Sequence, residues 1–278
     1  MSARLPAVAG MFYPNEPSLL AKQVKEFMLS AKTKPSCVGV VSPHAGYGYS
    51  GLTAAFAINS LRPAKRFIIL GPNHTGMGSE FSLMSGGEWA TPLGSVKVDG
   101  RLAAELLRRT DIADDAGAHM AEHSIEVQLP FLQKRFNSNS FSFVPVCIMN
   151  TSYSDGFMDA CVGIGEVIAD IVKNSNSGDI GIIASSDFSH YVAPDTIGKR
   201  EKSIVRAILE MDVSKFFDAL SSGYAGGSAA DAASSVCGYG PIAVLMAAAK
   251  KLDLKARDID SSNSGGSKAV SYRAIGFE

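Results

Sequence analysis

The stretch CVGVVSPHAGYGYSG, residues 37–51, decides the fold, because an apolar run passes directly into a glycine-rich loop. Its first part, CVGVVSP (37–43), is rich in β-branched side chains and has the length of a fully buried strand. Three further runs share this character: RFIILGP (66–72), FSFVPVCIM (141–149) and IGIIASS (180–186). Strands without polar alternation are typical of a parallel sheet that helices cover on both faces.

Helix-like segments alternate with these strands, which indicates the α/β class. They are predicted over 50–61, 100–110, 122–136, 155–174, 196–210, 212–221 and 240–252. Two strands, 255–262 and 269–278, predict a hairpin at the sheet edge, and the small residues of 221–240 predict a loop before the last helix. No repeat or long linker divides the chain. The prediction is a single domain, residues 1–278, with a central, mostly parallel sheet flanked by helices.

Composition excludes several classes of protein. Hydrophobic residues make up 46% of the chain, and the net charge is −1. The chain has no basic stripe, so its sequence does not predict a nucleic-acid partner. We also expect no membrane partner, because no run of eighteen apolar residues occurs. The start lacks the apolar core of a signal peptide, and the cysteines form no CxxC pair. We therefore expect a cytoplasmic protein in which Cys37, Cys147 and Cys161, all in apolar runs, are buried.

A histidine follows three of the predicted strands. These are His44 in SPHAGYGYSG, His74 in GPNHTG and His190 in SSDFSHY. Ligands of open α/β sheets bind beyond the carboxyl ends of the strands, so the three loops predict one site. His44 and His74 suit metal ligands, although a histidine can also hydrogen-bond within its loop. Asn73 could donate to an anionic ligand or close an Asx-turn.

Asp187 and His190 stand three residues apart, so both side chains can point into one cleft. An imidazole beside a carboxylate serves proton transfer, or supports a metal as a ligand or as a ligand's partner. The alternative is a helix-capping aspartate and a surface histidine. His123 begins the predicted helix 122–136 and either lines the cleft or serves the helix cap. His119, in the polar loop DDAGAH, is predicted to be exposed.

Cys237 lies in SSVCGYGPIAVLMAAA, just ahead of a predicted helix. A helix N-terminus lowers a thiol pKa and favours the thiolate, which predicts a reactive or metal-bound cysteine. Small neighbours also suit a cysteine that only packs. The chain contains no HExxH, Walker A or G-x-S-x-G motif, so the convergence of the three loops carries the site prediction.

With these residues established, the chain resembles the Memo family. Eight ordered motifs carry the resemblance: PAVAGMFYP, SPHAGYGYSG, LGPNHTG, WATPLG, EHSIEVQLPFL, SSDFSHY, CGYGPI and VSYRAIGF. Memo proteins are similar in fold to class III extradiol dioxygenases, which hold non-haem iron by two histidines and a carboxylate. The resemblance therefore implies a central sheet flanked by helices, with one pocket at its edge.

The resemblance also implies roles for individual residues. The metal ligands fall on His44, His74 and Cys237, and His190 takes the position of the proton-transferring histidine, with Asp187 nearby. A thiolate in place of a carboxylate shifts metal preference toward iron, copper or zinc. His123 is the third residue to which we assign a catalytic role.

Three functions follow from this interpretation. The first is a metal-dependent, dioxygenase-like oxidoreductase that uses iron or copper and oxygen. The second is a non-catalytic binding module for a phosphotyrosine-like peptide or a small anionic ligand, with Phe12, Tyr13 and Asn73 in the ligand pocket. The FYP sequence at 12–14 could instead pack an N-terminal arm. The third is a metal-handling or redox protein in which Cys237 cycles. A small molecule, a peptide or a protein is the expected partner.

Overall fold

Four parallel strands form the centre of an eight-stranded sheet. The computed structural model describes residues 3–138, 140–151, 153–175, 178–223 and 236–278. The strands are β1 (Gly39–Ser42), β2 (Arg66–Pro72), β3 (Phe81–Leu83), β4 (Glu88–Thr91), β5 (Gly94–Lys97), β6 (Ala113–Asp114), β7 (Ser142–Ile148), β8 (Ile180–Ser185), β9 (Ala256–Asn263) and β10 (Ser271–Phe277). The large sheet has the order β6-β3-β7-β2-β8-β1-β10-β9, and β4 pairs with β5 in a separate ribbon. Strands β7, β2, β8 and β1 run parallel, as the sequence predicted.

Helices cover both faces of this sheet. They are α1 (Pro17–Ser30), α2 (Tyr47–Ser60), α3 (Gly100–Arg109), α4 (Leu129–Phe136), α5 (Asp155–Asn174), α6 (Pro194–Leu209), α7 (Val213–Gly223) and α8 (Tyr239–Lys251). Two short 3₁₀ helices span Ala116–His119 and Glu126–Gln128. Local signals start several of these elements. For example, the Ser154 hydroxyl accepts the Phe157 N–H at 3.3 Å ahead of α5.

Neighbouring residues along each central strand belong to two different hydrophobic clusters. In β2, Ile68 packs in one cluster and Ile69 in the other, and in β8 the same holds for Ile182 and Ile183. Successive side chains of a strand point to opposite faces, so the two clusters are the two sides of the sheet. All four side chains are at most 1% exposed. This explains why the strands read as continuous apolar runs, and it confirms the α/β class.

The predicted tail hairpin is present. β10 pairs antiparallel with β1 and with β9, which forms the sheet edge. The predicted loop over 221–240 lies, from 224 to 235, outside the described residues. Across the described ranges, no helix combines the length and apolarity needed to cross a membrane.

The predicted helix over 122–136 is wrong in its first half. Residues 122 and 123 have no regular secondary structure and 124–125 form a turn, a 3₁₀ helix spans Glu126–Gln128, and the α-helix begins only at Leu129. The periodic polar residues of this segment do not face solvent: Glu122 and Glu126 are at most 1% exposed. They hold other segments of the chain through hydrogen bonds, as described below, and these tertiary contacts replace the helical turn.

Burial of the three structural cysteines is confirmed, whereas the prediction for His119 is wrong. Cys37, Cys147 and Cys161 are all fully buried. His119 is 0% exposed, and its ring lies 5.7 Å from that of Trp89. Burial, followed by the nearby charge of Arg4, lowers the pKa of His119 to about 4. The polar letters around it in the sequence misled the prediction, because the loop packs inward onto the ring of Trp89.

His119 should make stability depend on pH. Its pKa is lowered in the folded protein, so its contribution is complete above the unfolded pKa of about 6.5 and is lost as pH falls toward 4. The loss is on the order of 3 kcal/mol. Urea unfolding of the protein and of His119→Phe at pH 7 and pH 4 measures it. The difference in stability between the two pH values should be smaller in the variant, and equal differences would contradict the assignment.

Candidate metal centre

Three neighbouring strands deliver polar side chains to one edge of the sheet. β8 lies between β1 and β2 and pairs parallel with both. His44, His74 and Asp187 each stand two residues after the end of their strand. Because parallel strands end at the same edge, equal offsets bring the three residues together, as the sequence predicted from the convergence of the loops.

His44 is the most enclosed of the pocket histidines. It is 2% exposed, and burial, followed by the neighbouring histidines, lowers its pKa well below the usual value. Its backbone N–H donates to Asp187 Oδ1 at 2.9 Å, and its ring Nδ1 lies 3.0 Å from Ser185 Oγ. That hydroxyl donates to the Ser124 carbonyl at 2.7 Å and accepts from Gln128 Nε2 at 3.0 Å. With its proton used, the hydroxyl is left to accept from Nδ1–H of His44.

His74 and His123 stack on each other, with ring centroids 4.7 Å apart and planes 20° apart. A single carboxylate oxygen, Glu122 Oε1, lies 3.0 Å from Nδ1 of His74 and 3.3 Å from Nδ1 of His123. Burial raises the pKa of Glu122, but the hydrogen bonds from the His74 ring and the Ser124 amide, with the nearby imidazoles, outweigh it and lower the pKa to about 2. The carboxylate is therefore ionised and accepts N–H donors.

These contacts suit metal binding. Each of the three imidazoles engages its Nδ1, which leaves Nε2 as the nitrogen with a lone pair for a cation. Ligating histidines in metalloproteins are commonly oriented in this way. One ring nitrogen of each histidine lies within 4.8 Å of the other two. The group of His44, His74 and His123 could therefore hold a metal ion, and its donors suit iron, copper or zinc.

Cys237 is not a member of this three-histidine group but contacts His44. Its Sγ is 3.1 Å from His44 Nε2 and accepts the backbone N–H of Asp187 at 3.3 Å. Cys237 precedes α8, as predicted, but the expected lowering of its thiol pKa is wrong: burial, followed by the nearby charge of Asp187, raises that pKa well above the usual value. Burial outweighs the helix terminus. A bound cation could still displace the thiol proton.

Gly238 brings this cysteine close to the sheet. A Cβ at Gly238 would lie 2.3 Å from the Ser185 carbonyl oxygen, which no side chain could tolerate. The Gly238 N–H also donates to Ser186 Oγ at 2.9 Å. The backbone ahead of α8 therefore lies directly against the end of β8, and this approach carries Cys237 to His44.

An open pocket of about 790 Å³ surrounds these groups. Asp187 and His190 both line it, together with His44, His74, His123 and Cys237. Asp187 is 4% exposed, and burial raises its pKa to about 7, although hydrogen bonds from the His44 and Ala45 amides act against the rise. The carboxyl can therefore exchange a proton near neutral pH.

Of the three residues predicted for the ligand pocket, Phe12 lines it and Tyr13 and Asn73 do not. Phe12 lines the pocket, and its ring lies 4.7 Å from that of His123. Tyr13 is instead 3% exposed and donates its hydroxyl to Glu126, which packs the N-terminal arm. Asn73 accepts the Thr75 N–H at 3.0 Å and the Gly76 N–H at 3.1 Å, and thus closes an Asx-turn. The turn shapes the loop that carries His74.

The sequence did not assign a site role to Glu122, Ser185 or Gln128, which hold the histidine rings, or to the pocket tyrosines. Glu122 stood directly before His123, which was the available signal. The further aromatic residues that line the pocket are Tyr153, Tyr191 and Tyr239. Tyr191 directly follows His190, and Tyr239 stands two residues after Cys237, which was the available signal for these two.

Known proteins are similar in sequence to this chain over nearly its whole length. A family model described as "Memo-like protein" matches residues 4–277. A MEMO1 family protein of Methanosarcina barkeri is 39% identical over 278 residues, which cover 99% of this chain and 97% of that protein. A MEMO1 family protein of Methanocaldococcus jannaschii is 36% identical over 292 residues, covering 98% and 96%.

One solved structure extends the comparison to the fold. An uncharacterized protein from Escherichia coli K12 superposes with a TM-score of 0.55 at 11% identity, covering 86% of this chain and 99% of that one. At this identity the similarity concerns the fold alone.

Proposed function

The chain belongs to the Memo family, and from that premise we propose that its pocket is the metal centre of an oxygen-dependent oxidoreductase. The observation that carries the proposal is the group of His44, His74 and His123, in which each Nδ1 faces an oxygen atom, so that Nε2 is the nitrogen with a lone pair; the Nε2 of His44 faces the Cys237 thiol. Iron or copper is the proposed metal, with zinc as the redox-inert alternative. The family's similarity to class III extradiol dioxygenases supports the same chemistry.

The proposed ligands are His44, His74 and Cys237, and a metal bound there would supply a binding place for dioxygen or a substrate oxygen. The thiol already contacts the ligand nitrogen of His44, at 3.1 Å. His123 then remains beside the metal, where its ring meets Phe12 at the pocket wall and can contact a substrate.

Proton handling falls to Asp187 and His190, which also line the pocket. The Asp187 carboxyl, whose pKa burial raises to about 7, can hold a proton while it accepts the His44 N–H. We assign His190 the transfer of a proton to or from the substrate, and Asp187 the support of that transfer. Phe12 and the pocket tyrosines favour a substrate with an aromatic or apolar part.

The third ligand can be identified by substitution. Because a lost ligand should cost more than a lost ligand partner, we expect Cys237→Ser to weaken iron binding by more than about 100-fold and His123→Ala by less. Metal content after dialysis and competitive titration measure both effects. Cys147→Ser, at a buried cysteine outside the pocket, is the matched control. The reverse order, with His123→Ala the more damaging, would assign the position to His123.

Oxygen consumption tests the catalytic part of the proposal. Protein loaded anaerobically with Fe(II) is mixed with a panel of catechols, and oxygen uptake is compared with that of free iron. We expect uptake that exceeds the free-iron rate and falls by roughly 10²-fold or more in His190→Ala, the magnitude typical of a lost general acid or base. Uptake no faster than that of free iron would argue against catalysis.

A binding module is the second candidate function, and the histidine-lined pocket favours it. In this version His123 and Phe12 hold an anionic group of a small ligand or a phosphotyrosine-like peptide, and no turnover occurs. Titration with matched phosphorylated and unphosphorylated peptides separates the two functions. Equal affinities would remove the anion-binding proposal, and tighter binding of the phosphorylated peptide, without oxygen uptake, would favour it over the oxidoreductase.

A further inference from the structure

Glu122 connects two of the three histidines to the rest of the protein. Its side chain is 1% exposed, and its two oxygens accept hydrogen bonds from the loops that carry His74 and His123. Oε2 accepts the backbone N–H of His74. Oε1 accepts the backbone N–H groups of His123 and Ser124, each at 2.8 Å, in addition to facing both imidazoles. Three backbone N–H groups and two ring nitrogens therefore converge on one carboxylate.

This convergence restricts both rings at once. Glu122 Oε1, which both Nδ1 atoms face, already accepts two backbone N–H groups, so it acts as an acceptor and each ring presents its proton on Nδ1. Without that carboxylate, a neutral imidazole could place its proton on either nitrogen. A proton on Nε2 would block the atom that is needed to bind a cation.

We propose that Glu122 is a positioning residue that fixes His74 and His123 together as Nδ1–H tautomers, so that both present Nε2 to the same pocket. The proposal deepens the proposed function, because the presented nitrogens serve the metal centre. The stacked arrangement of the rings, with centroids 4.7 Å apart, follows from this shared acceptor. A single anion thus orders a ligand and its neighbour as a pair.

Glutamine at this position keeps the size but changes the chemistry. Its amide retains one acceptor oxygen and replaces the other with an NH₂ donor, which would meet N–H groups on one side. We therefore expect Glu122→Gln to shift one or both rings toward the Nε2–H tautomer and to weaken Zn²⁺ binding by about 10- to 100-fold. Zn²⁺ serves as a redox-inert probe.

Nitrogen-15 NMR of the imidazole nitrogens in the metal-free protein reads the tautomers directly. Spectra of His74→Asn and His123→Asn assign the signals of the two rings. In the unsubstituted protein, both rings should show a protonated Nδ1 and an unprotonated Nε2. A protonated Nε2 on either ring would overturn the proposal, and this test does not require that Glu122→Gln folds.

The variant then separates positioning from mere support of the fold. Unchanged tautomers in folded Glu122→Gln would overturn the proposal, even if Zn²⁺ affinity falls. Glu201→Gln is the matched control, because it also replaces a buried carboxylate, but one that accepts from Ser271 and Arg273. Its substitution should leave the His74 and His123 signals in place. If the tautomers are as expected but the unsubstituted protein binds no metal, the metal centre fails and the positioning role stands.

Discussion

Replacing His44 by alanine is expected to weaken iron or copper binding by more than about 100-fold. Outer partners of metal ligands typically contribute 10- to 100-fold to affinity, so the loss of a ligand should exceed that range. His44 also lies next to the other two histidines of the group and to Cys237. Its ring faces His74 and His123 at centroid distances of 5.1 and 5.5 Å, and its Nε2 contacts Cys237.

Elemental analysis of freshly isolated protein, followed by competitive titration with Fe(II) and Cu(I), measures this effect. His119→Phe supplies the matched control, because it also removes a buried imidazole but one that packs beside Trp89. Its metal content should equal that of the unsubstituted protein. Retention of full metal content in His44→Ala, with circular dichroism unchanged, would refute the proposed centre.

The position of the site was predictable because it depends on strand ends. His44, His74 and Asp187 follow buried apolar strands at equal distances, and the parallel pairing of β1, β8 and β2 does the rest. Strand type and helix alternation could be recognised from local composition alone. For the same reason, the burial of Cys147 in an apolar run was predictable.

Features that depend on distant partners were not predictable. Glu126 occupies a position with helical spacing and reads as a solvated residue, yet it is fully buried because the N-terminal arm covers it. His119 lies among polar residues in the sequence and therefore reads as exposed, yet its ring is buried beside Trp89. The thiol pKa of Cys237 also depends on surroundings, since burial rather than the adjacent helix terminus determines its direction.

That N-terminal arm is held by a fully buried ion pair between Arg4 and Glu126. The Arg4 guanidinium lies 4.1 Å from the centre of the Trp89 ring and donates to the backbone carbonyl oxygens of His119 and Glu122. Through the Glu122 carbonyl, the pair touches the turn that carries the shared carboxylate of the metal centre. The arm in turn carries Phe12 to the ring of His123.

Removing only one partner of this pair should be strongly destabilising. We expect Glu126→Gln to lower the free energy of unfolding by about 3–5 kcal/mol, because it leaves the Arg4 charge buried without compensation. The Tyr13 hydroxyl and the Val8 amide would also lose an ionised acceptor. Urea unfolding at pH 7 measures the loss, and Glu26→Gln, at an exposed carboxylate of α1, is the control that should change stability little.

The double variant Arg4→Met with Glu126→Gln distinguishes the ionic contribution from simple loss of packing. Once both charges are gone, no unpaired charge remains in the interior, so the double variant should lose clearly less stability than the sum of the two single losses. The arm also presents Phe12 to His123. The nitrogen-15 NMR signals of the His123 ring should therefore broaden in Glu126→Gln and recover at least in part in the double variant. Strictly additive losses would show that Arg4 and Glu126 stabilise the arm independently, and the turn at Glu122 would then owe its position to the carboxylate contacts alone.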